Sequence, residues 1–181
     1  MNSLKEKEKM LVVVDMVNGF VKEGSLADPY IATIIPEVIK WIGKTKNEGG
    51  IVTFANDSHE VNSDEFKVYP PHCIKGTWEA EVVDELKPYT KEAIIYEKDF
   101  VNTFRLKQFR DDIQRMKNLR EVIVTGCCTD ICVQELVEAL LKHINQNNRN
   151  IEVIVPEDAV TTFEIPGHNR EDKHQEGLIT M

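Results

Sequence analysis

The stretch EVIVTGCCTDICVQELVEALLKHI, residues 121–144, contains the pattern on which the fold prediction depends. Residues 121–125 form a short apolar run typical of a buried strand. Residues 133–144 repeat apolar side chains at helical spacing, and a turn with Gly126 and three cysteines lies between the two. A strand that leads through a short turn into a helix is part of a βαβ unit, so this segment predicts a parallel sheet.

The same alternation of strand and helix extends in both directions along the chain. Further apolar runs predict strands at residues 11–14, 51–55, 93–96 and 151–155. Apolar side chains at helical spacing predict helices at residues 34–42, 78–86 and 106–116, and a polar helix from about His168. This alternation indicates an α/β fold of three layers (α/β/α), in which helices cover both faces of a mostly parallel sheet.

Length and composition limit the class of protein. A chain of 181 residues is expected to form one domain over residues 1–181. The net charge is −9 and no basic stripe is present, so nucleic acid is not an expected partner. No apolar run has the length of a membrane span, and residues 1–9 lack the apolar core of a secretory signal. We therefore expect a cytoplasmic protein whose four cysteines are free thiols.

Reactive side chains follow four of the predicted strands. Asp15 follows the first strand, Asp57 and His59 follow the second, Lys98 follows the third, and Cys132 follows the fourth. Each has an ordinary structural explanation, such as a helix cap, a solvated lysine or an inert buried thiol. Sites in parallel sheets form beyond the carboxyl ends of the strands. The joint occurrence of these groups at one edge therefore predicts a catalytic site.

Cys132 is the candidate nucleophile. Thr129 or Asp130 is expected to cap the following helix, which places Cys132 in its first turn. Free backbone N–H groups there favour a thiolate and can hold an oxyanion. Asp15 can accept the thiol proton, and Lys98 can lower the thiol pKa and anchor the carboxylate. The first and third strands could be neighbours in the sheet, which would bring Asp15 and Lys98 together.

A second group of residues has the spacing of a metal site. Asp57-Ser58-His59 is followed by Glu65 and then by Pro70-Pro71-His72. Two imidazoles with carboxylates suit zinc, iron or manganese. The alternative, in which His59 and His72 are loop residues that bind no metal, stays open from these residues alone.

The sequence resembles the isochorismatase-like hydrolases, and among them it is most similar to the nicotinamidases. The resemblance covers about residues 10–160 and rests on LVVVDMVNGF (11–20), NDSH (56–59), PPH (70–72), Lys98 and VTGCCTDICV (124–133). It implies the isochorismatase-like hydrolase fold. It also implies a metal-dependent cysteine amidohydrolase that converts nicotinamide to nicotinate and ammonia through a thioester.

The resemblance implies catalytic roles for particular residues. Asp15, Lys98 and Cys132 would form the catalytic triad. A non-prolyl cis peptide would join Cys127 and Cys128, and the N–H groups of Cys128 and Cys132 would form the oxyanion hole.

The resemblance also implies a metal site and a substrate pocket. One divalent ion, with zinc as first choice and iron or manganese as alternatives, would be held by Asp57, His59, Glu65 and His72. Phe20 and Tyr69 would line the pocket around the substrate. Many nicotinamidases carry Ser-Ala-Phe and Gly-Thr after the lysine, and this chain has Asn-Thr-Phe-Arg-Leu at residues 102–106.

Two other functions stay open at this point. The same triad could act on another amide, a carbamoyl or a ureido substrate. A protein of another class, a non-catalytic binding protein, could keep the same fold. A dinucleotide-binding oxidoreductase is excluded, because the turn after the first strand lacks the glycine spacing that a pyrophosphate needs. The expected partners are a small-molecule amide and further copies of the chain in a homo-oligomer, with no membrane or nucleic acid.

Overall fold

Six strands form one parallel sheet in the computed structural model, which describes residues 4–181. The strands are β1 (Lys9–Val14), β2 (Ile51–Asp57), β3 (Ile94–Lys98), β4 (Glu121–Cys127), β5 (Glu152–Ile154) and β6 (Val160–Thr161). Their order is β3-β2-β1-β4-β5, and β6 pairs with the last residues of β4 beyond the end of β5. The predicted parallel sheet is confirmed; the two-residue β6 was not predicted.

Helices cover both faces of the sheet. They are α1 (Asn18–Val21), α2 (Ile35–Asn47), α3 (Lys87–Thr90), α4 (Lys107–Arg115), α5 (Gln134–Gln146) and α6 (Arg170–Thr180). Val38 and Ile42 of α2 belong to the apolar core on one face, whereas Ile113 of α4 and Leu140 of α5 belong to the core on the other. The three-layer α/β fold is therefore confirmed.

β1 is the central strand, and its burial on both faces explains its apolar sequence. Leu11 and Val13 pack into the core beneath α2, whereas Met10, Val12 and Val14 pack into the core beneath α4 and α5. All five side chains are fully buried. This alternation follows the two-residue period of a strand. Within residues 4–181, none of the helices has the length and apolar character needed to span a membrane.

The sheet changes its direction of growth at β1. β2 and β3 extend from one side of β1, and β4 and β5 extend from the other. Binding sites of doubly wound sheets lie at such a switch point, beyond the carboxyl ends of the strands. The suggestion that the first and third strands are neighbours was wrong, because β2 lies between them and is hydrogen-bonded to both.

The helix predicted over residues 78–86 is absent from the described structure. Trp78–Ala80 forms a single 3-10 turn, and the short α3 begins only at Lys87. Val83 is buried, but its backbone N–H donates to the Met16 carbonyl oxygen rather than to a helical partner. The helical spacing of apolar side chains thus reflects burial of an irregular segment against the loop after β1.

Gly126 lies where β4 passes Val14 too closely for any side chain. Its φ is +107°, and a Cβ atom would lie 2.0 Å from the Val14 carbonyl oxygen. Gly126→Ala is therefore expected to lower the free energy of unfolding by more than about 2 kcal/mol. The matched control is Gly43→Ala in α2, where an added Cβ meets no atom within 4 Å. This change should raise the free energy of unfolding by about 0.5–1 kcal/mol. Denaturant unfolding measures both changes, and similar effects at the two positions would contradict the prediction.

Candidate active site

Asp15, Lys98 and Cys132 meet beyond the carboxyl ends of β1, β3 and β4. Lys98 Nζ lies 2.9 Å from Asp15 Oδ2 and 3.8 Å from Cys132 Sγ. Lys98 and Asp15 are almost wholly inaccessible to solvent, and Cys132 is also buried. Lys98 ends β3, which is separated from β1 by β2, so its side chain crosses the end of β2 to reach Asp15.

Asp57 joins this group from the end of β2. Its carboxylate forms a second ion pair with Lys98 Nζ. Its backbone N–H donates to Asp15 Oδ1 at 2.7 Å, which fixes the Asp15 carboxylate. One ammonium group is therefore shared by two buried carboxylates, and the sequence did not reveal that Asp57 contacts the lysine.

The two carboxylates that share the ammonium group have different pKa values. Burial and the negative charge of Asp57 raise the pKa of Asp15 to about 6, against the opposing effect of Lys98. Burial acts in the same direction on Asp57, but Lys98 and the hydrogen bonds with His59 and His72 together outweigh it and hold the pKa of Asp57 below its usual range. A carboxyl group with a pKa near 6 is suited to accept and return a proton near neutral pH.

The turn that carries Cys132 differs from the predicted helix cap. Residues Thr129–Val133 form a π-helical turn before α5, and Cys128 precedes that turn without a side-chain cap. Thr129 Oγ1 contacts His174 Nδ1 at 2.9 Å, and Asp130 Oδ2 contacts His168 Nε2 at 2.7 Å. The prediction that Thr129 or Asp130 caps the helix was therefore wrong, because both side chains bond to the C-terminal segment.

Burial opposes the expected effect of the helix N-terminus and of Lys98, which favour a thiolate at Cys132. Burial raises the pKa of Cys132 well above its ordinary value, although Lys98 lowers it. The ammonium group is already paired with two carboxylates, so its charge is largely compensated. The thiol therefore carries its proton at rest and needs a base. The peptide bond between Cys127 and Cys128 is cis, as the resemblance implied.

Removing the shared cation would leave two buried carboxylates without a counter-ion. Lys98→Met is expected to lower the free energy of unfolding by about 3–5 kcal/mol at neutral pH. The matched control is Lys75→Met, because Lys75 is exposed and lies 3.7 Å from the carboxylates of Glu60 and Glu97. Lys75→Met should change the free energy of unfolding by no more than about 1 kcal/mol. Urea unfolding measures both variants, and a Lys98→Met protein as stable as the control would refute the prediction.

Two imidazoles and two carboxylates converge beside this group. One ligand atom from each of Asp57, His59, Glu65 and His72 can be chosen so that all four lie within 4.8 Å of one another. Asp57 Oδ2 is 3.4 Å from His59 Nε2 and 3.6 Å from His72 Nε2. Asp57 thus faces Lys98 with one oxygen and the imidazoles with the other.

The hydrogen bonds of the two imidazoles leave the Nε2 atoms free for a metal. His72 Nδ1 lies 2.8 Å from the Pro70 carbonyl oxygen, and His59 Nδ1 lies 2.9 Å from Asp99 Oδ1. Both partners are acceptors, so both Nδ1 atoms carry the proton. In neutral rings the Nε2 lone pairs then face each other across 3.1 Å. This repulsive arrangement is relieved by a cation, so the donor set fits a divalent metal.

A proton competes for the same position. Burial lowers the pKa of His59, but hydrogen bonds to Asp57 and Asp99 outweigh it and raise this pKa above its ordinary value. Metal binding requires the neutral ring, so loading the site should release a proton.

A cavity opens onto both groups. The residues that line it are Asp15, Phe20, Leu26, Asp57, Glu65, Tyr69, His72, Val101, Cys127, Cys128, Ile131, Cys132 and Phe163. Phe20 and Tyr69 pack near His72, with ring centroids 5.4 and 6.3 Å away. The structure thus places both predicted pocket aromatics on the cavity wall. Residues 102–106 depart from the nicotinamidase pattern, but none of these five residues lines the cavity.

Two residues at the site were missed by sequence reasoning. Phe163 completes the aromatic wall, and its ring stacks on His168 at 4.1 Å between centroids. Asp99 bonds to His59 and directly follows Lys98. The position of Asp99 after a predicted strand could have indicated it, whereas no sequence pattern marked Phe163.

A parallel sheet of this topology, with a buried thiol, carboxylate and ammonium group at one edge, is typical of small-molecule hydrolases. The chain belongs to the isochorismatase family, whose domain model matches residues 9–181. Nicotinamidase 1 of Arabidopsis thaliana is 33% identical over 178 residues, which cover 90% of this chain and 72% of that protein.

Solved structures agree with this assignment. The pyrazinamidase of Pyrococcus horikoshii in complex with zinc is 27% identical to this chain and superposes with a TM-score of 0.79. The match includes 95% of this chain and 93% of the pyrazinamidase chain. N-carbamoylsarcosine amidase of Thermoplasma acidophilum is 32% identical, with a TM-score of 0.75. The match includes 88% of this chain and 87% of the amidase chain. The chain is thus an amidohydrolase of the isochorismatase family. The predicted family and enzyme class are confirmed, which sets aside the non-catalytic alternative.

Proposed function

We propose that this protein is a metal-dependent nicotinamidase, which hydrolyses nicotinamide to nicotinate and ammonia. The observation that carries the proposal is that Cys132 and the ligand set containing Asp57, Glu65 and His72 line one cavity. A pyridine carboxamide has a ring nitrogen for the metal and a carbonyl carbon for the thiol. Similarity to the Arabidopsis nicotinamidase supports the same substrate.

The proposed metal ligands are Asp57, His59, Glu65 and His72. Their donor set suits zinc, with iron or manganese as alternatives, and the zinc complex of the Pyrococcus pyrazinamidase supports zinc. When bound, the ion supplies a Lewis acid that can coordinate a pyridine nitrogen. The aromatic rings of Phe20, Tyr69 and Phe163 would enclose the substrate ring.

The residues of the chain then account for the proton transfers. Asp15 takes the proton of Cys132 as the sulfur attacks the carboxamide carbon. The N–H groups of Cys128 and Cys132 stabilise the oxyanion, and Lys98 holds the Asp15 carboxylate in place. Asp15 gives its proton to the departing nitrogen, so the C–N bond breaks, ammonia leaves and a thioester remains. Water then loses a proton to Asp15 and attacks the thioester; the C–S bond breaks, the acid leaves, and Asp15 returns the proton to the sulfur of Cys132.

Within residues 4–181, the cavity wall lacks a cationic side chain that could bind a substrate carboxylate. Its lining residues, all within the described part of the chain, include Asp15, Asp57 and Glu65 but no lysine or arginine. Lys98 is buried behind the wall and paired with two carboxylates. A carbamoyl or ureido acid would therefore find no lysine or arginine among the described wall residues to pair with its own carboxylate, whereas nicotinamide carries no charge and needs no such partner.

A second candidate function is hydrolysis of a carbamoyl or ureido substrate by the same triad. Similarity to the N-carbamoylsarcosine amidase of Thermoplasma acidophilum supports it. The two functions differ in what they require, since the carbamoyl substrate has no pyridine nitrogen for a metal.

Ammonia release distinguishes the two functions. Purified protein of measured metal content is incubated with nicotinamide and, separately, with N-carbamoylsarcosine. We expect ammonia from nicotinamide in proportion to metal occupancy. Release from N-carbamoylsarcosine alone would replace the proposal by the second function, and metal-loaded protein inert toward nicotinamide would refute the nicotinamidase assignment.

A further inference from the structure

We propose that Asp99 is a positioning residue of the metal site, which holds His59 in its metal-binding tautomer and ties it to the loop that carries Glu65. The inference rests on the proposed metal site. Asp99 contacts one ligand directly and is not itself among the four converging ligand residues.

The first step is the contact with His59. The imidazole is fully buried, and its Nδ1 atom donates to Asp99 Oδ1 at 2.9 Å. The Asp99 side chain is 39% exposed, so its charge is partly hydrated while its oxygen reaches the buried ring. A carboxylate on Nδ1 keeps the proton there, turns the Nε2 lone pair toward the metal and increases its basicity.

The second step is the comparison with His72. Its Nδ1 atom donates to the Pro70 carbonyl oxygen at 2.8 Å. A neutral carbonyl is thus sufficient to satisfy a buried imidazole N–H at this site. A carboxylate is therefore not required to satisfy the N–H of His59. Its negative charge has a further effect, because it favours a cation bound to the same ring.

The third step is the link to Glu65. Partial burial raises the pKa of Asp99, but its interactions with the Ser63 side chain, His59 and the Glu60 backbone outweigh burial and lower this pKa. Ser63 in turn accepts from the backbone N–H of Glu65 at 3.3 Å, and Glu65 Oε1 lies 4.0 Å from His59 Nε2. Asp99 therefore connects the end of β3 to two ligand-bearing segments.

Competition with a fluorescent zinc chelator tests the proposal without using activity. Asp99→Ala is expected to weaken zinc binding about 10- to 100-fold. Asp99→Asn keeps an acceptor for the imidazole and should lose less. The matched control is Glu97→Gln, an exposed carboxylate on the same strand, which should bind zinc like the wild type.

Further variants separate the possible outcomes. Ser63→Ala breaks only the link to the loop, so a loss as large as that of Asp99→Ala would show that the loop, and not the tautomer of His59, sets the affinity. Nitrogen NMR of His59 should show less Nδ1–H tautomer in Asp99→Asn, which carries the test if Asp99→Ala fails to fold. Wild-type protein that binds no zinc would refute the proposed metal site. Tight binding by wild type and Asp99 variants alike would refute the role of Asp99 alone.

Discussion

Replacement of Cys132 by alanine is expected to reduce nicotinamide hydrolysis by at least about 10⁴-fold. The thiol is the side chain that bonds to the substrate carbon in our mechanism. Its sulfur lies 3.8 Å from Lys98 Nζ, in a cavity where Asp15 can take its proton. Initial rates of ammonia release, compared at equal metal content, measure the loss.

Cys73→Ala is the matched control for this prediction. Cys73 is also a buried free thiol, but it does not line the cavity. Burial raises the pKa of Cys73 beyond the physiological range, so it takes no part as a thiolate. We expect this variant to keep its rate within about threefold. A Cys132→Ala enzyme as active as the control would eliminate the thioester mechanism and leave only direct attack by water.

The sequence predicted much of the site because parallel strands place their carboxyl ends at one edge. Asp15 and Lys98 are 83 positions apart, yet each follows an apolar strand. Parallel pairing of β1, β2 and β3 is sufficient to bring these two residues together. A lysine side chain can cross one intervening strand, which adds only about 5 Å, so the inference remained valid although the suggested adjacency of β1 and β3 was wrong.

The remaining features depend on contacts between segments that are distant in sequence. Thr129 and Asp130 have the residue types of helix caps, but their side chains bond to His174 and His168, which the C-terminal segment brings next to them. Phe163 enters the cavity for the same reason. A local sequence pattern indicates which structure a residue type prefers. It does not show which distant residue will bond to the side chain instead.

The effect of burial on the pKa of Cys132 was not visible in the sequence, for a related reason. A lysine that lies close to a cysteine in the folded protein is expected to favour the thiolate. Here the same lysine is shared with Asp15 and Asp57, and burial opposes the thiolate charge. Burial of Cys132 and the sharing of Lys98 are properties of the folded chain alone.

Replacement of His72 by alanine is the other change expected to have a large effect. It removes one imidazole ligand and leaves His59 Nε2 without the partner that now lies 3.1 Å away. We expect zinc affinity and nicotinamide hydrolysis each to fall by more than about 100-fold. Zinc competition and ammonia release, measured on the same preparation, test both losses.

His143→Ala is the matched control, since His143 lies near the far end of α5 and is not among the converging ligands. It should keep both metal and activity. If His72→Ala loses zinc but still hydrolyses nicotinamide, the metal would have only a structural role and the pyridine ring would be held by the aromatic wall. If it keeps zinc at wild-type affinity, His72 is not a ligand, and the close approach of the two imidazoles would need another explanation, such as one shared proton.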